Sequence, residues 1–255
     1  MSDFINEIFD IVNKYHGFFL QGIGYTMLIA LVGTTVGLVI GLITGIVRTI
    51  PESKNTFLRG VVKVINAIIS IYVEVFRGTP MMVQSMVIYW GYAFMNDGQT
   101  LPLIPAGIFI VSINTGAYMA EIVRGGIISI DKGQLEGAYS IGMNHFQAMI
   151  YVVVPQTMRN ILPAISNEFV INIKDTSVLN VIGVTELYFF TAKISKMTWA
   201  IFETYVVACV IYFVLTFSIT RILKAIERRL DGPSSYILHQ SSTMPDANYL
   251  VKEDR

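Results

Sequence analysis

Charged residues are scarce in this chain, and their scarcity excludes an ordinary water-soluble protein. Only 14% of the 255 residues are Asp, Glu, Lys or Arg, whereas soluble domains average about 25%. Hydrophobic residues make up 53% of the chain, and the mean hydropathy is +0.59. The composition therefore predicts lipid as the main solvent, and the length fits one integral membrane domain of several helices.

Cysteine and histidine are also rare, which argues against several kinds of chemistry. The single cysteine, Cys209, cannot form a disulfide within the chain. The three histidines, His16, His145 and His239, are scattered, and no His-x-x-x-His or Gly-x-Ser-x-Gly motif occurs. A phosphate-binding loop of the form Gly-x-x-x-x-Gly-Lys-Ser/Thr is absent as well. We therefore expect no metal site, no catalytic centre and no ATP hydrolysis in this chain.

Long apolar segments divide the chain into about five predicted membrane spans, which makes the fold class all-α. A spanning helix needs about 20 predominantly apolar residues. Four spans are predicted from the charge-free windows 15–47, 78–96, 98–120 and 204–220, and a fifth, less regular one from 148–173. The apolar segment 65–76 is bracketed by charged residues, and it is interpreted as a cytoplasmic or interfacial lead-in to the second span.

The basic residues predict the orientation of the chain, because cytoplasmic loops carry an excess of Lys and Arg. They cluster after the first, third and fifth spans, at Arg48, Lys54, Arg59, Lys63, Arg124, Lys132, Arg221, Lys224, Arg228 and Arg229. The opposite side has only Lys14, Lys193 and Lys196. The N-terminus is therefore predicted outside and the C-terminus in the cytoplasm. Residues 1–231 form the predicted transmembrane domain, and the polar residues 232–255 a flexible cytoplasmic tail.

Four glycines in the first span, Gly33, Gly37, Gly41 and Gly45, follow a strict four-residue spacing. Small residues at this spacing lie on one helix face and allow two helix backbones to approach closely. The pattern fits packing within this chain and packing against another subunit equally well.

A long loop after the third span carries a family resemblance. Asp131 is predicted to cap a short helix, and residues 136–142 read Glu-Gly-Ala-Tyr-Ser-Ile-Gly. This stretch resembles the cytoplasmic Glu-Ala-Ala loop of ABC importer permeases, with Gly137 in place of the middle alanine. In that family the loop forms a coupling helix that docks in a groove of the ATPase subunit.

Five further segments narrow the resemblance to permeases for polar amino acids, with the type I importer fold. They read EVFRGTP at 74–80, AYMAEIVRGG at 117–126, IKDTSV at 173–178, VIGVTEL at 181–187 and ERRL at 227–230. The similarity covers about residues 15–232. It implies a prokaryotic cytoplasmic-membrane protein that works with two copies of an ATPase subunit, a second permease subunit (identical or homologous) and an external substrate-binding protein. ATP and magnesium would be bound by the ATPase, and nucleic acid is not an expected partner.

The resemblance assigns candidate residues to the coupling loop. They are Glu136, Gly137, Ala138, Ser140, Gly142, Asn144 and His145. A small-residue face permits close docking, and Glu136 can pair with a base on the partner. From spacing alone, an amphipathic surface helix remains the alternative.

Polar residues deep in the membrane are candidates for the substrate pathway, because ionisable groups there cost about 2.5–3.5 kcal/mol each on insertion scales. The candidates are Asn114, Tyr118, Glu168, Asn172, Lys174, Asp175, Thr176 and Ser177. A charge pair such as Lys174 with Asp175 complements the ammonium and carboxylate of an amino acid. The alternative is that Lys174 and Asp175 lock their helix to its neighbours.

Two pairs with i,i+3 spacing, Glu74 with Arg77 and Glu121 with Arg124, are predicted structural or gate elements, and Pro80 bends or begins a span.

The sequence thus predicts an alternating-access permease for a polar amino acid. Glutamine or glutamate is favoured, and cystine, histidine and arginine permeases share most of the motifs. The alternative is an ion-coupled secondary transporter that uses Glu168 and Asp175.

Overall fold

The computed structural model describes residues 2–50 and 55–230, and every regular element in these two ranges is helical. The predicted tail, residues 232–255, lies outside the described residues. The α-helices are α1 (Ser2–Val47), α2 (Thr56–Gly78), α3 (Met81–Met95), α4 (Leu103–Ile128), α5 (Lys132–Ser140), α6 (His145–Ala148), α7 (Val154–Asp175), α8 (Leu187–Thr198) and α9 (Ile201–Leu230). A π-helical turn (Met149–Val153) precedes α7, and a 3-10 helix (Thr176–Ile182) follows it.

The expected number of membrane spans is confirmed in the described ranges. Four helices are long and apolar enough to cross a membrane: Phe4–Val47, Thr56–Gly78, Leu103–Ile128 and Ile201–Leu230. A fifth span is formed if His145–Ile182 and Leu187–Thr198, which meet at an angle of 57°, cross together as one bent pair. The all-α, polytopic fold class follows from this arrangement.

The second span differs from the prediction. The helix that begins after Pro80, α3, has only 15 residues and is about 22 Å long, which is less than the roughly 30 Å hydrocarbon core of a bilayer. The segment 65–76, which was interpreted as a lead-in, lies inside α2, and α2 itself is long and apolar enough to span. The expectation failed because Glu74 and Arg77 interrupt the charge-free window, although both residues lie within a continuous helix.

The glycine stripe of α1 packs within this chain. A Cβ atom added at Gly33, Gly37, Gly41 or Gly45 would lie closer than 3.0 Å to atoms of α4. The α4 neighbours of the four glycines are, in order, Val111, Thr115, Met119 and Val123. The two helices therefore touch along about four turns, and the structure favours the intramolecular alternative over a subunit interface.

Two apolar clusters hold the helices around this α1–α4 pair. One joins α1, α3, α4 and the 3-10 helix around Ile29, Ile110 and Leu179, all fully buried. The other joins the N-terminal part of α1 to α8 and α9 through residues that include Phe19 and Ile194. The remaining faces of α2, α3 and α9 expose large hydrophobic side chains, as expected for helices that contact lipid.

Candidate functional site

Side-chain amides form hydrogen bonds with the backbone at the break between α2 and α3, which consists of residues 79 and 80. Pro80 has no backbone N–H and follows the end of α2, which leaves carbonyl groups without helical partners. The Nε2 amide of Gln84 donates to the carbonyl oxygens of Phe76 and Thr79, at 2.9 Å in each case. Asn114 of α4 donates to the Phe76 carbonyl at 3.3 Å and to Gln84 Oε1 at 2.9 Å. The break is therefore a hydrogen-bonded feature of the fold.

The break lies level with the middle of α4, a helix long and apolar enough to span a membrane. Asn114 is the twelfth residue of α4, so at 1.5 Å per residue it lies about 17 Å from the start of that helix. This distance is roughly half of a 30 Å hydrocarbon core. Tyr72 makes a second contact at this depth, where its hydroxyl donates to the carbonyl of Ile113 at 2.6 Å.

Arg77 lies in the last turn of α2, just before the break, and turns toward α4. Its guanidinium stands over the ring of Tyr118, 5.5 Å from the ring centroid, an arrangement with cation–π character. The ion pair between Glu74 and Arg77 that the spacing suggested is not formed. Among the residues that the structure describes, ion pairs join only Arg48, Glu121 and Arg124.

Acidic side chains of α7 complete this polar region. Glu168 is half-buried, and Asp175 lies two turns further along the same helix. Lys174 and Asp175 are both exposed in the single chain. Glu168 and Asp175, seven residues apart, therefore lie on one face of α7.

Several predicted pathway residues lie in the interior instead. Asn172 is 3% exposed, and its Nδ2 donates to the hydroxyls of Thr34 at 2.7 Å and Thr115 at 3.0 Å. Thr176 is fully buried and donates to the carbonyl of Ile173. Asn114 is 9% exposed and engaged at the break. These three side chains are hydrogen-bonded within the fold, whereas Tyr118, Glu168 and Ser177 are partly accessible and Lys174 and Asp175 are exposed.

Glu121, near the C-terminal end of α4, forms ion pairs with two arginine residues. Arg124, one turn later, donates to Glu121 Oε2 from Nε at 3.2 Å and from Nη2 at 3.1 Å. Arg48, just past the end of α1, donates to the other carboxylate oxygen of Glu121. The sequence spacing indicated the first partner only, since Arg48 is 73 residues away along the chain. The cluster fastens the end of α1 to α4.

The short helix predicted after Asp131 is formed as α5, and both of its ends are well defined. Asp131 caps α5 by accepting from the backbone N–H of Gly133 at 2.6 Å. At the other end Gly142 adopts φ +85°, and the N–H of Met143 donates to the carbonyl of Ala138 at 3.1 Å. This is a Schellman motif, in which glycine avoids the strain of the left-handed conformation. Asn144 then starts α6 with a capping box that it shares with Gln147.

The predicted coupling residues have different positions within this segment. Glu136, Gly137 and Ser140 are exposed. Ala138 is 5% exposed and packs inward. Gly142 and Asn144 shape the turn, as described above, and His145 is bonded through Nδ1 to the hydroxyl of Tyr139 at 2.9 Å.

Two large apolar side chains on this surface were missed by the sequence reasoning. Ile141 is 74% exposed and Phe146 is 71% exposed, on either side of the Gly142 turn. Apolar residues carry little signal in a chain that is 53% hydrophobic. Their exposure beside the polar face of α5 makes a surface suited to docking on another protein.

Glu186 was also missed, although it lies within one of the quoted segments. It is fully buried at the start of α8, and its carboxylate accepts from the N–H groups of Tyr188 at 2.9 Å and Phe189 at 2.7 Å. The hydroxyl of Tyr212 donates to the same carboxylate at 3.1 Å. Glu186 therefore caps α8 and connects it to α9.

Comparison with known proteins finds relatives along most of the chain. The sequence family described as "Binding-protein-dependent transport system inner membrane component" matches residues 37–232. The L-cystine transport system permease protein TcyB of Bacillus subtilis (strain 168) is 39% identical over 165 residues, which is 64% of this chain and 70% of that protein. The glutamine transport system permease protein GlnP of Escherichia coli (strain K12) is 35% identical over 165 residues, 65% of this chain and 75% of that protein.

A solved structure extends the similarity to nearly the whole described fold. A crystal structure of an amino acid ABC transporter with histidines is 37% identical in sequence and superposes with a TM-score of 0.72. The match covers 86% of this chain and 96% of that chain.

Proposed function

The chain belongs to the family of binding-protein-dependent transport system inner membrane components, and from this premise we propose that it moves a polar amino acid by alternating access. The family is one of multi-pass inner-membrane transport components, and its members are permeases rather than enzymes. The observation that carries the proposal is the Arg77 cation, which stands over Tyr118 beside the α2–α3 break. Together with the carboxylates of Glu168 and Asp175 on α7, it would complement the two charges of an amino acid.

The pathway is proposed to lie between two permease subunits. Asn172 bonds to Thr115, the neighbour of Asn114, so Lys174 and Asp175 lie within about one turn of the mid-membrane break. Both are exposed in the single chain, and each charged group that faced lipid at that depth would cost about 2.5–3.5 kcal/mol. A second copy, or a homologous chain, would cover this face and leave a water-filled route between the subunits.

The driving force is proposed to come from a separate ATPase subunit that docks on α5 and the turn after it. Glu136, Gly137 and Ser140 would provide the polar part of the contact, and Ile141 and Phe146 the apolar part. Only three residues, 129–131, separate α4 from α5. A rigid-body displacement of α5 would therefore reach the helix that carries Tyr118 and Glu121. In this scheme ATP and magnesium are bound by the ATPase.

The basic loops support a topology with the N-terminus outside and the C-terminus in the cytoplasm. An external binding protein would then deliver the amino acid to the side opposite α5. Glutamine or glutamate is the first substrate proposed, supported by the similarity to GlnP. L-cystine and arginine are the substrates named for other relatives of comparable identity, and they belong in the same assay.

The proposal is tested by uptake of a panel of labelled amino acids into proteoliposomes that contain the permease and its ATPase. Glu136→Lys on α5 is compared with the wild type and with Glu7→Lys, a matched charge reversal at an exposed position near the other end of the chain. We expect ATP-dependent uptake that Glu136→Lys abolishes and Glu7→Lys preserves. Uptake that needs no ATPase and follows an ion gradient would show a secondary transporter instead.

A further inference from the structure

Gln84 and Asn114 are polar side chains in the interior of the helix bundle. Their exposed fractions are 8% and 9%, so both amides are buried at mid-membrane depth. A buried amide is costly unless its donors and acceptors are satisfied. The amide nitrogens of both residues are directed at the break between α2 and α3, where they meet carbonyl oxygens.

The carbonyl groups also determine the orientation of the Gln84 side-chain amide. A carbonyl oxygen can only accept, so the Nε2 end of Gln84 must face Phe76 and Thr79. Its Oε1 then points away from the break and accepts from Asn114 Nδ2 at 2.9 Å. The hydroxyl of Thr79 adds a contact with Gln84 Nε2 at 2.8 Å. The two amides thus form one connected unit, which we term the amide clamp, on residues 76–79.

Arg77 lies within the clamped stretch, directly after Phe76. Its guanidinium rests on Tyr118, which follows Asn114 by four residues and so lies on the same face of α4. One face of α4 therefore binds the backbone through Asn114 and supports the cation through Tyr118. The place of the guanidinium depends on where the clamp holds the backbone.

We infer that Gln84 and Asn114 are positioning residues, whose amides clamp the break so that the Arg77 cation is held over Tyr118 in the substrate route. This inference rests on the proposed function, in which Arg77 and Glu168 line that route. Without the clamp the carbonyl groups of Phe76 and Thr79 would form hydrogen bonds with other donors, and the backbone at the break would adopt another conformation.

A coupling experiment tests whether Gln84 acts through Arg77. Gln84→Met keeps the length of the side chain and removes its donors. It is combined with Arg77→Ala, and ATP-dependent uptake is measured below saturation and normalised to assembled complex. We expect each single change to lower uptake about tenfold and the double variant to match Arg77→Ala alone. Losses that multiply in the double variant would show that Gln84 acts independently, and would overturn the inference.

The control variant is Ser85→Ala. Ser85 is fully buried next to Gln84, but its hydroxyl donates only to Met82 of its own helix. We expect uptake by Ser85→Ala to stay within about twofold of the wild type. A loss as large as that of Gln84→Met would show that α3 is sensitive to any buried polar deletion, against the inference.

A second measurement reports the position of residue 77 without transport. Arg77→Cys and Tyr118→Cys are introduced together after Cys209→Ser removes the only native thiol, and a short bifunctional thiol reagent links them in the assembled complex. We expect efficient linking that falls several-fold when Gln84→Met is added. Linking that is unaffected by Gln84→Met would refute the clamp. Reduced linking together with normal uptake by Arg77→Ala would keep the clamp and refute the proposed place of Arg77 in the route.

Discussion

Replacing Gly41 by alanine tests the contact between α1 and α4 at its tightest point. A Cβ at Gly41 would lie 2.7 Å from the carbonyl carbon of Met119 and 3.0 Å from the backbone nitrogen of Ala120. These are backbone atoms and cannot rotate away, whereas ordinary carbon contacts lie at about 3.5–4.0 Å. The helices would have to separate by about 1 Å, and overpacking of this kind typically costs about 1–3 kcal/mol.

The matched control is Gly24→Ala on the same helix. A Cβ at Gly24 meets nothing within 4 Å, so alanine there should be neutral or should stabilise α1 by up to about 1 kcal/mol, the difference in helix propensity. Thermal unfolding of the purified permease in detergent compares the two variants with the wild type. We expect a lower unfolding temperature for Gly41→Ala only. Equal midpoints for all three proteins would refute the close α1–α4 contact.

Two further substitutions test other contacts. Asn172→Leu removes the hydrogen bonds to Thr34 and Thr115 and should lower the free energy of unfolding by about 1–3 kcal/mol. Thr34→Val removes only one of these bonds and should lower it by less. Unfolding in denaturant measures both variants, and an unchanged stability of Asn172→Leu would contradict the packing role. Gly142→Ala places a side chain at φ +85° and should cost about 1–2 kcal/mol at the end of α5, whereas Gly142→Asn should be tolerated better. Binding of the ATPase subunit measures this effect, and equal binding by the alanine and asparagine variants would contradict it.

A local signal in the sequence predicted the start of α5. Asp131 caps this helix as expected, because helix caps are set by a few neighbouring residues. The spacing of the glycines predicted a close helix contact, but spacing contains no information about which helix lies opposite. That the partner is α4 follows only from the fold.

Long-range polar contacts could not be predicted from the sequence for the same reason. Arg48 looked like one of many basic loop residues, and its pairing with Glu121 depends on two helix ends meeting in space. Gln84 is an uncharged residue in an apolar segment, so nothing local shows that it faces a carbonyl group of another helix. The second span was placed too late because hydropathy windows exclude charges, whereas Arg77 is held by Tyr118 inside the helical region.

The length of α1 has a mechanical consequence. Its 46 residues measure about 69 Å, more than twice the thickness of the hydrocarbon core. One end is tied to α4 through Arg48 and Glu121, and near the other end Phe4 contacts Phe202 of α9. More than half of this length therefore lies outside the hydrocarbon core, so one continuous helix joins the contacts made on the two sides of the membrane.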